Sequence, residues 1–319
     1  MAHEVQSMAY VGDTPWHGLG RRLDRDAALD VWLKEAGMDW EIQSAPVMYQ
    51  ADEGVGAFTI RSNPDTKVLY RSDTKAALSV VSSRYKMVQP KEVLEFYRDL
   101  VGVGGFELET AGVLKGGKKL WALARTGEEL RLKGDDRVEG YLLLATACDG
   151  TLATTAQFTS VRVVCNNTLQ VAVGDKGGAI KVPHSTRFDA EVVKSRLGIG
   201  AHAWVAFSDR VQELSERRVN RFESVNYLVN VFGDPAKRID EQPNARAIKA
   251  VQNLYEGAGI GMQLPATNET AWGLLNAVTQ YIDHDRPARS VDNRLNSAWF
   301  GAGATTKQRA WEEAMALVA

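Results

Sequence analysis

At 319 residues, with 45% hydrophobic and 24% charged content, the chain has the composition of an ordinary globular protein. It is long enough for two domains or one large one. A formal net charge of −2 excludes a bulk pull towards nucleic acid or membrane surfaces, so any anion site must be a local patch. Two cysteines, Cys148 and Cys165, exclude a disulfide framework and point to a reducing cytoplasm. Five histidines without CxxC, HxH or HExxH spacing propose no metal site, and no cofactor is expected. The opening MAHEVQSMAYVGDTPWHG lacks the basic-then-apolar order of a signal peptide, and no apolar run approaches the ~20 residues of a membrane span. The expectation is an intracellular protein with no membrane partner.

In chain order, Thr14 to Gly20 is a Pro- and Gly-rich loop in which Trp16 either plugs the domain surface or lines a groove with His17. Asp26 to Gly37 reads as a short helix with Leu29, Trp32 and Leu33 on one face and Gly37 as its C-cap. Three short strand-like runs follow, Val47–Tyr49, Ala57–Arg61 and Lys67–Arg71, separated by Gly54-Val55-Gly56 and Asn63-Pro64-Asp65 in the pattern of a meander. Thr74 to Val81 is a short helix or turn. Pro90 suits the first position of a helix, and Val93, Leu94, Tyr97, Leu100 and Val101 continue it with amphipathic spacing. Gly116-Gly117 joins two more strand-like runs as a hairpin, and Glu128 to Asp136 is a charged linker.

The run from Val138 to Val173 is the β-rich centre of the chain. Asp149-Gly150 asks for a two-residue type I′ turn within it, and Asn166-Asn167 divides its later part. After it the pattern becomes helical. Val193, Leu197, Gly200, Trp204, Phe207, Val211 and Leu214 form a heptad-like seam, suited to a packed helix or a short oligomer contact. Asn244–Glu256, Thr270–Asp283 and Thr305–Val318 are further helices, with breaks at 233–243, 257–265 and 284–304. The fold class is α+β: an antiparallel sheet of hairpins and a meander with one or two packed helices, then a mainly helical part. The expected division is a β-rich core domain with an N-terminal arm over 1–185 and a helical domain over 186–319.

No catalytic signature is legible. Cys165 follows a strand, yet no His or Asp stands near it in a nucleophile pattern, and a cysteine is commonly a small core residue. His284-Asp285 carries no stronger case for metal or acid–base work. Gly102-Val103-Gly104-Gly105 lacks the Lys-Ser/Thr of a phosphate loop. Basic residues beside aromatics are the more suggestive pattern, because cations neutralise phosphates and aromatics stack on unpaired bases. Arg84, Tyr85 and Lys86 form one such group, and Lys118 and Lys119 with Trp121 a second. Arg217, Arg218 and Arg221, beside Phe222, form a third. Arg162 is the sharpest case, because alternation in Ser160–Val164 places it opposite Val161 and Val163, on an open sheet face. Each group alone also reads as solvated surface, a hairpin tip or a helix-dipole complement. Their co-location would make a site.

Four stretches carry a family resemblance: the opening MAHEVQSMAYVGDTPWHGLG, the segment VSSRYKMVQPKEVLEFYRDLV, the core YLLLATACDGTLATTAQFTSVRVVCNNTL, and the closing TAWGLLNAVTQYIDHDRPARS with SAWFG. With these the chain resembles the phage/plasmid-like proteins grouped as domain of unknown function 932. The resemblance implies a phage, prophage or plasmid gene acting in a host cytoplasm, and it brings no catalytic residue. A β-rich core bearing a helix, in such a setting, is also distantly similar to the single-strand annealing proteins of phage recombination, by fold-level analogy. The expected function is therefore single-stranded DNA binding as a homo-oligomer. Arg84, Lys86, Arg162, Arg217 and Arg218 would act on phosphates, with Tyr85 and Trp121 stacking. A factor that binds a host protein to counter host defence is the alternative, and an enzyme the third.

Overall fold

The computed structural model describes residues 7–12, 20–54, 56–104, 106–163, 167–170, 179–187, 189, 192–193 and 201–319. The expectations for Trp16, His17, Cys165, Asn166, Leu197 and Gly200 lie outside them. The chain forms two compact units that interleave in sequence. Unit 1 comprises Met1–Ala124, Leu142–Gln157 and Ala179–Leu197; unit 2 comprises Arg125–Tyr141, Phe158–Gly178 and Gly198–Ala319. The fold is α+β, antiparallel strands with helices and a mainly helical C-terminal part, as the patterning predicts.

An eight-stranded sheet carries the order β10-β9-β8-β7-β6-β1-β2, with β11 also paired to β9. Its strands are β1 (Ser7–Tyr10), β2 (Arg21–Arg22), β6 (Glu107–Leu114), β7 (Lys119–Leu132), β8 (Asp136–Ala147), β9 (Thr154–Arg162), β10 (Asn167–Gln170) and β11 (Ala179–Val182). All described pairings except the parallel β1–β2 pair are antiparallel. The central strands β7, β8 and β9 contribute residues to both units. The expected linker 128–136 is a correction: β7 runs on to Leu132 and turns through Gly134 and Asp135, both at positive φ, directly into β8. Asp149-Gly150 does mark the next turn, but only Gly150 has positive φ. The Asp149 carboxylate instead accepts from Thr151 N at 3.0 Å and Thr151 Oγ1 at 2.6 Å, giving a longer side-chain-bridged loop in place of the type I′ turn.

In unit 1, helix α1 (Leu29–Glu35) buries Trp32 and Leu33. It closes at Gly37, whose φ of 68° and position only 1.5 Å from Ser7 Oγ at its missing Cβ both require glycine. Helix α2 (Pro90–Gly104) starts at Pro90, and the Gln89 N–H preceding it donates to Glu92 Oε2 at 2.7 Å. It buries Val93, Leu94 and Tyr97, and the Tyr97 hydroxyl lies 2.8 Å from Ala122 O and 3.0 Å from Leu142 O, pinning the helix to β7 and β8. The expected meander is a long hairpin: β3 (Ile42–Gly54) and β4 (Ala57–Arg71) pair throughout, with β5 (Ala77–Ser82) against the base of β4. Asn63-Pro64-Asp65 does not turn the chain; it is accommodated in β4 as the register shift opposite Pro46/Val47. Most of Thr74–Val81, expected as a short helix or turn, is β5, because Leu78 and Val81 have a core to bury in.

Unit 2 contains α3 (Ala201–Glu216), α4 (Arg221–Phe232), α5 (Ala245–Asn253), α6 (Ala271–Gln280), α7 (Val291–Phe300) and α8 (Ala302–Ala316). Every residue of α6 is buried, and α6 is the centre of this unit's core. Trp204, Phe207, Val211 and Leu214 of the heptad-like seam lie in the same core, so α3 is a packed helix whose seam is used within the chain. Helices α5 and α6 each end in a π-type turn, Leu254–Ala258 and Tyr281–Asp285. Helix α4 begins at a full capping box in which Asn220 Oδ1 accepts from Glu223 N at 3.0 Å and Glu223 Oε2 from Asn220 N at 2.9 Å. Helix α7 lies inside the span expected to be a break, started by the Ser290 side chain accepting from Asn293 N at 3.1 Å.

Candidate functional site

Alternation places Arg162 opposite Val161 and Val163, but its face is the covered one. In unit 2 the helix bearing Trp272 and the turn at Ile260–Gly261 close over it, while Val161 and Val163 are half-buried. Arg162 is 1% exposed. Its Nε donates to Asp136 Oδ1 at 2.7 Å, and its terminal nitrogens donate to Ile260 O at 3.2 Å and Gly261 O at 3.0 Å. Trp272 Nε1 donates to the other oxygen of Asp136 at 3.2 Å. A guanidinium so enclosed cannot meet a phosphate, and the expected open-face role is overturned. Its partner Asp136 lies in the span expected as a linker; an acid opening an apolar strand is the signal that marks it.

The other cations separate into engaged and free ones. Arg217 Nε donates to Leu317 O at 2.7 Å, and its terminal nitrogens reach Arg218 O and Glu223 Oε1. Arg218 donates to Asn268 O at 2.7 Å. These two close the C-terminal end and a turn of unit 2. Lys119 is buried, 5% exposed. Trp121 is 1% exposed and offers no ring face to a base. Tyr85 is also buried: its hydroxyl donates to Ala147 O at 2.6 Å, and burial pushes that hydroxyl well above its ordinary titration range. Stacking by Trp121 and Tyr85 is therefore corrected too.

Tyr85 nevertheless organises a site in unit 1. Its ring stacks on His184 with centroids 4.4 Å apart, and Lys86 N donates to His184 O at 2.6 Å. The His184 ring nitrogens stand 3.2 Å from Lys86 O and 3.0 Å from Leu152 O, joining three segments. Lys67 Nζ donates to Tyr85 O at 2.9 Å. Tyr85 is buried at this turn, while Arg84 and Lys86 on either side of it are exposed, as is Arg187 just beyond His184. Lys118, half-buried, is held to the same end of the sheet because Cys148 N donates to its carbonyl at 2.9 Å. Arg84, Lys86, Lys118 and Arg187 form no ion pair among the described residues. Asp149 is the nearby opposing charge. Four of the ten sequence-derived residues, Arg84, Tyr85, Lys86 and Lys118, thus stand on these joined segments, and Arg187 is an addition that no aromatic neighbour flagged. The Cys148 thiol beneath is pushed up to about 12 by burial and then by Asp149, which removes it as a nucleophile at neutral pH.

In unit 2, Arg221 opens α4, exposed and with no described ion pair, beside Phe222, which is 84% exposed. Arg221 also borders a cleft of about 330 Å³ whose walls include Tyr255, Glu256 and Glu269. The Tyr255 hydroxyl is pushed up to about 12, by burial first and Glu269 second, so it stays protonated. Among the described residues, no group of His, Cys, Asp and Glu could hold a metal ion, and no helix is long and apolar enough to cross a membrane.

Residues 77–299 match the family model described as "Domain of unknown function (DUF932)". The match takes in the segment around Tyr85, the central strands and α6, while the opening stretch lies outside it. No curated protein matches the chain.

Proposed function

We propose that this chain, which belongs to the DUF932 family, binds single-stranded nucleic acid through phosphate contacts at the Arg84–Lys86 turn of unit 1. The observation that carries the reading is that Arg84, Lys86, Lys118 and Arg187, cations in no described ion pair, stand on segments tied together by the Tyr85–His184 stack, the Lys86–His184 backbone bond, the Tyr85–Ala147 bond and the Cys148–Lys118 backbone bond. Fixing the backbone beneath them lowers the ordering cost of a phosphate contact. Burial of Tyr85 and Trp121 removes both as stacking rings, so the reading rests on the phosphate contacts. In the phage or plasmid setting that the family resemblance implies, the ligand is a DNA single strand in the host cytoplasm.

Four cations against one nearby acid give roughly three effective phosphate contacts, hence a slope of log K on log[salt] of about −2 for a single strand. Affinity is then in the nonspecific range, about 10⁻⁴ to 10⁻⁶ M at physiological salt. Titration of a labelled oligothymidine over a salt series checks this. The Arg84→Ala/Lys86→Ala protein should lose about 1.4 of the slope. Absence of binding at low salt, or a slope unchanged in that variant, overturns the assignment.

A further inference from the structure

The segment that brings Arg187 to the candidate site is tied to it by His184. Strand β11 pairs with β9 as far as Val182, and His184 follows two residues later. Its own carbonyl accepts from Lys86 N at 2.6 Å, and its ring lies on Tyr85 with centroids 4.4 Å apart and planes at 21°. Ring Nδ1 stands 3.2 Å from Lys86 O, and ring Nε2 stands 3.0 Å from Leu152 O. Both partners are backbone carbonyl oxygens, which accept and never donate. Each contact is therefore a hydrogen bond only when that ring nitrogen carries a hydrogen. A neutral imidazole has one N–H and an imidazolium has two, so only the imidazolium satisfies both contacts. In the neutral ring, one nitrogen turns its lone pair towards a carbonyl oxygen, and that contact is repulsive.

We propose that His184 is a proton-operated clasp on the Arg84–Lys86 site: its imidazolium joins the Lys86 turn, the Leu152 loop and the segment bearing Arg187, and loss of one proton opens a joint. The inference rests on the nucleic-acid reading of this site and adds its regulation. With the ring charged, both carbonyls receive a hydrogen bond and the Arg187 segment is held against the Lys86 turn. As pH rises, the ring gives one proton to solvent and one of the two bonds is lost. The stack weakens in the same direction, because an aromatic face attracts a cation lying over it. Preorganisation of the phosphate contacts is therefore greatest with the ring charged, and single-strand affinity falls as pH rises. The carboxylates on the segments around the ring are Asp149, on the loop that carries Leu152, and Asp189, beyond Arg187. The cations are Arg84 and Lys86 at the turn, Lys67 bonded to Tyr85 O, and Lys181 and Arg187 on its own segment. Burial pushes the Tyr85 hydroxyl well up and the Cys148 thiol up to about 12. An imidazole is then the side-chain type here that ordinarily changes charge between about pH 5 and 8.

Labelled oligothymidine is titrated at about pH 5.5 and about pH 8.5, on either side of the histidine range. The wild type should bind about three- to tenfold more tightly at the lower pH, the worth of one charge-assisted hydrogen bond partly replaced by water. His184→Phe keeps a ring on Tyr85 and donates nothing. With unchanged far-ultraviolet dichroism, it should bind as weakly as the wild type does at the higher pH and lose most of the pH dependence. His3, His17, His202 and His284 are present in both proteins and cancel in the comparison. The clasp is also read without nucleic acid, in magnetic-resonance spectra of isotope-labelled histidine, with His184 assigned from its loss in His184→Phe. Hydrogen-bonded ring N–H groups exchange slowly with water, so two should be visible for His184 at the lower pH and one at the higher. Fewer than two at the lower pH, or equal pH dependence in the two proteins, overturns the clasp and leaves the phosphate reading standing. Absence of oligothymidine binding at both pH values overturns the nucleic-acid reading and its regulation together, and the ring N–H signals tell that outcome from failure of the clasp.

Discussion

Replacing Arg162 by Met removes a buried cation of similar reach and leaves Asp136, 0% exposed, without its counter-charge. The lost bonds are the 2.7 Å contact to Asp136 and those to Ile260 O and Gly261 O; the Trp272 donor at 3.2 Å remains. Stranding one member of a buried pair costs about 3–5 kcal/mol, more than the bonds alone, because the carboxylate stays desolvated. For a unit of this size, about 2–4 °C per kcal/mol turns that into a fall in melting temperature of roughly 10 °C. The double variant Arg162→Met/Asp136→Leu should recover much of the loss, since an apolar pair of similar volume is often neutral. Calorimetry of the wild type, both single variants and the double variant completes the cycle. A loss below about 1 kcal/mol for Arg162→Met would refute the reasoning, and the pair would then be solvated in solution. Because Arg162 is enclosed, oligothymidine affinity of the folded variant should not change.

In a Cys165→Ser background, Cys148 should resist a thiol reagent at pH 8 and react fully once denatured, since burial and Asp149 push its thiol up to about 12; fast labelling of the native protein would contradict this. The Arg71 side chain holds the Asp73 carboxyl down to about 2 from 3.8. A depressed folded value gives stability present above the unfolded pKa and lost as pH falls through about 2, so Asp73→Asn should matter less at about pH 2.5 than at pH 6. With the Asp73 side chain 40% exposed, screening keeps the effect under about 1 kcal/mol, and a pH-independent difference in denaturant midpoints would sink the attribution. Asn220→Ala should lower stability by about 1 kcal/mol through loss of the α4 cap, measured by urea titration; no loss would mean that the cap is replaced by water.

Local chemistry made much of the fold legible. Pro90 opens α2, Gly37 closes α1, and Gly116 and Gly117 sit between β6 and β7, because each of these depends on one residue's backbone preference. Helix α4 is signalled locally by the Asn220–Glu223 capping box, but its sequence lacks the apolar stripe that marks the other helices, so periodicity alone does not reveal it. In Thr74–Val81 so short an apolar run does not distinguish strand from helix; only pairing to β4 settles it as strand from Ala77 on. The site was less legible for a related reason. Alternation places Arg162 and the valines on opposite faces, but not which face the helices cover. Charge likewise does not reveal engagement: Lys119 and Lys118 are adjacent, yet one is buried and the other is not.

The difference between engaged and free cations also bears on the β3–β4 hairpin. Its base is held by an arginine used as a brace: Arg71, 5% exposed, lies 4.2 Å over the Trp40 ring and bonds both oxygens of Asp73 at 2.9 and 2.7 Å. Ser72 Oγ accepts from Glu41 N at 2.8 Å, and Gln89 bonds Ile42 in both directions at 2.8 and 3.1 Å, so β3 and β4 leave unit 1 at a fixed base. Loosening the base by Trp40→Ala should therefore speed amide exchange where Ile42–Ala45 pairs with Val68–Arg71, and unchanged exchange would show that the Arg71 brace does not hold the hairpin.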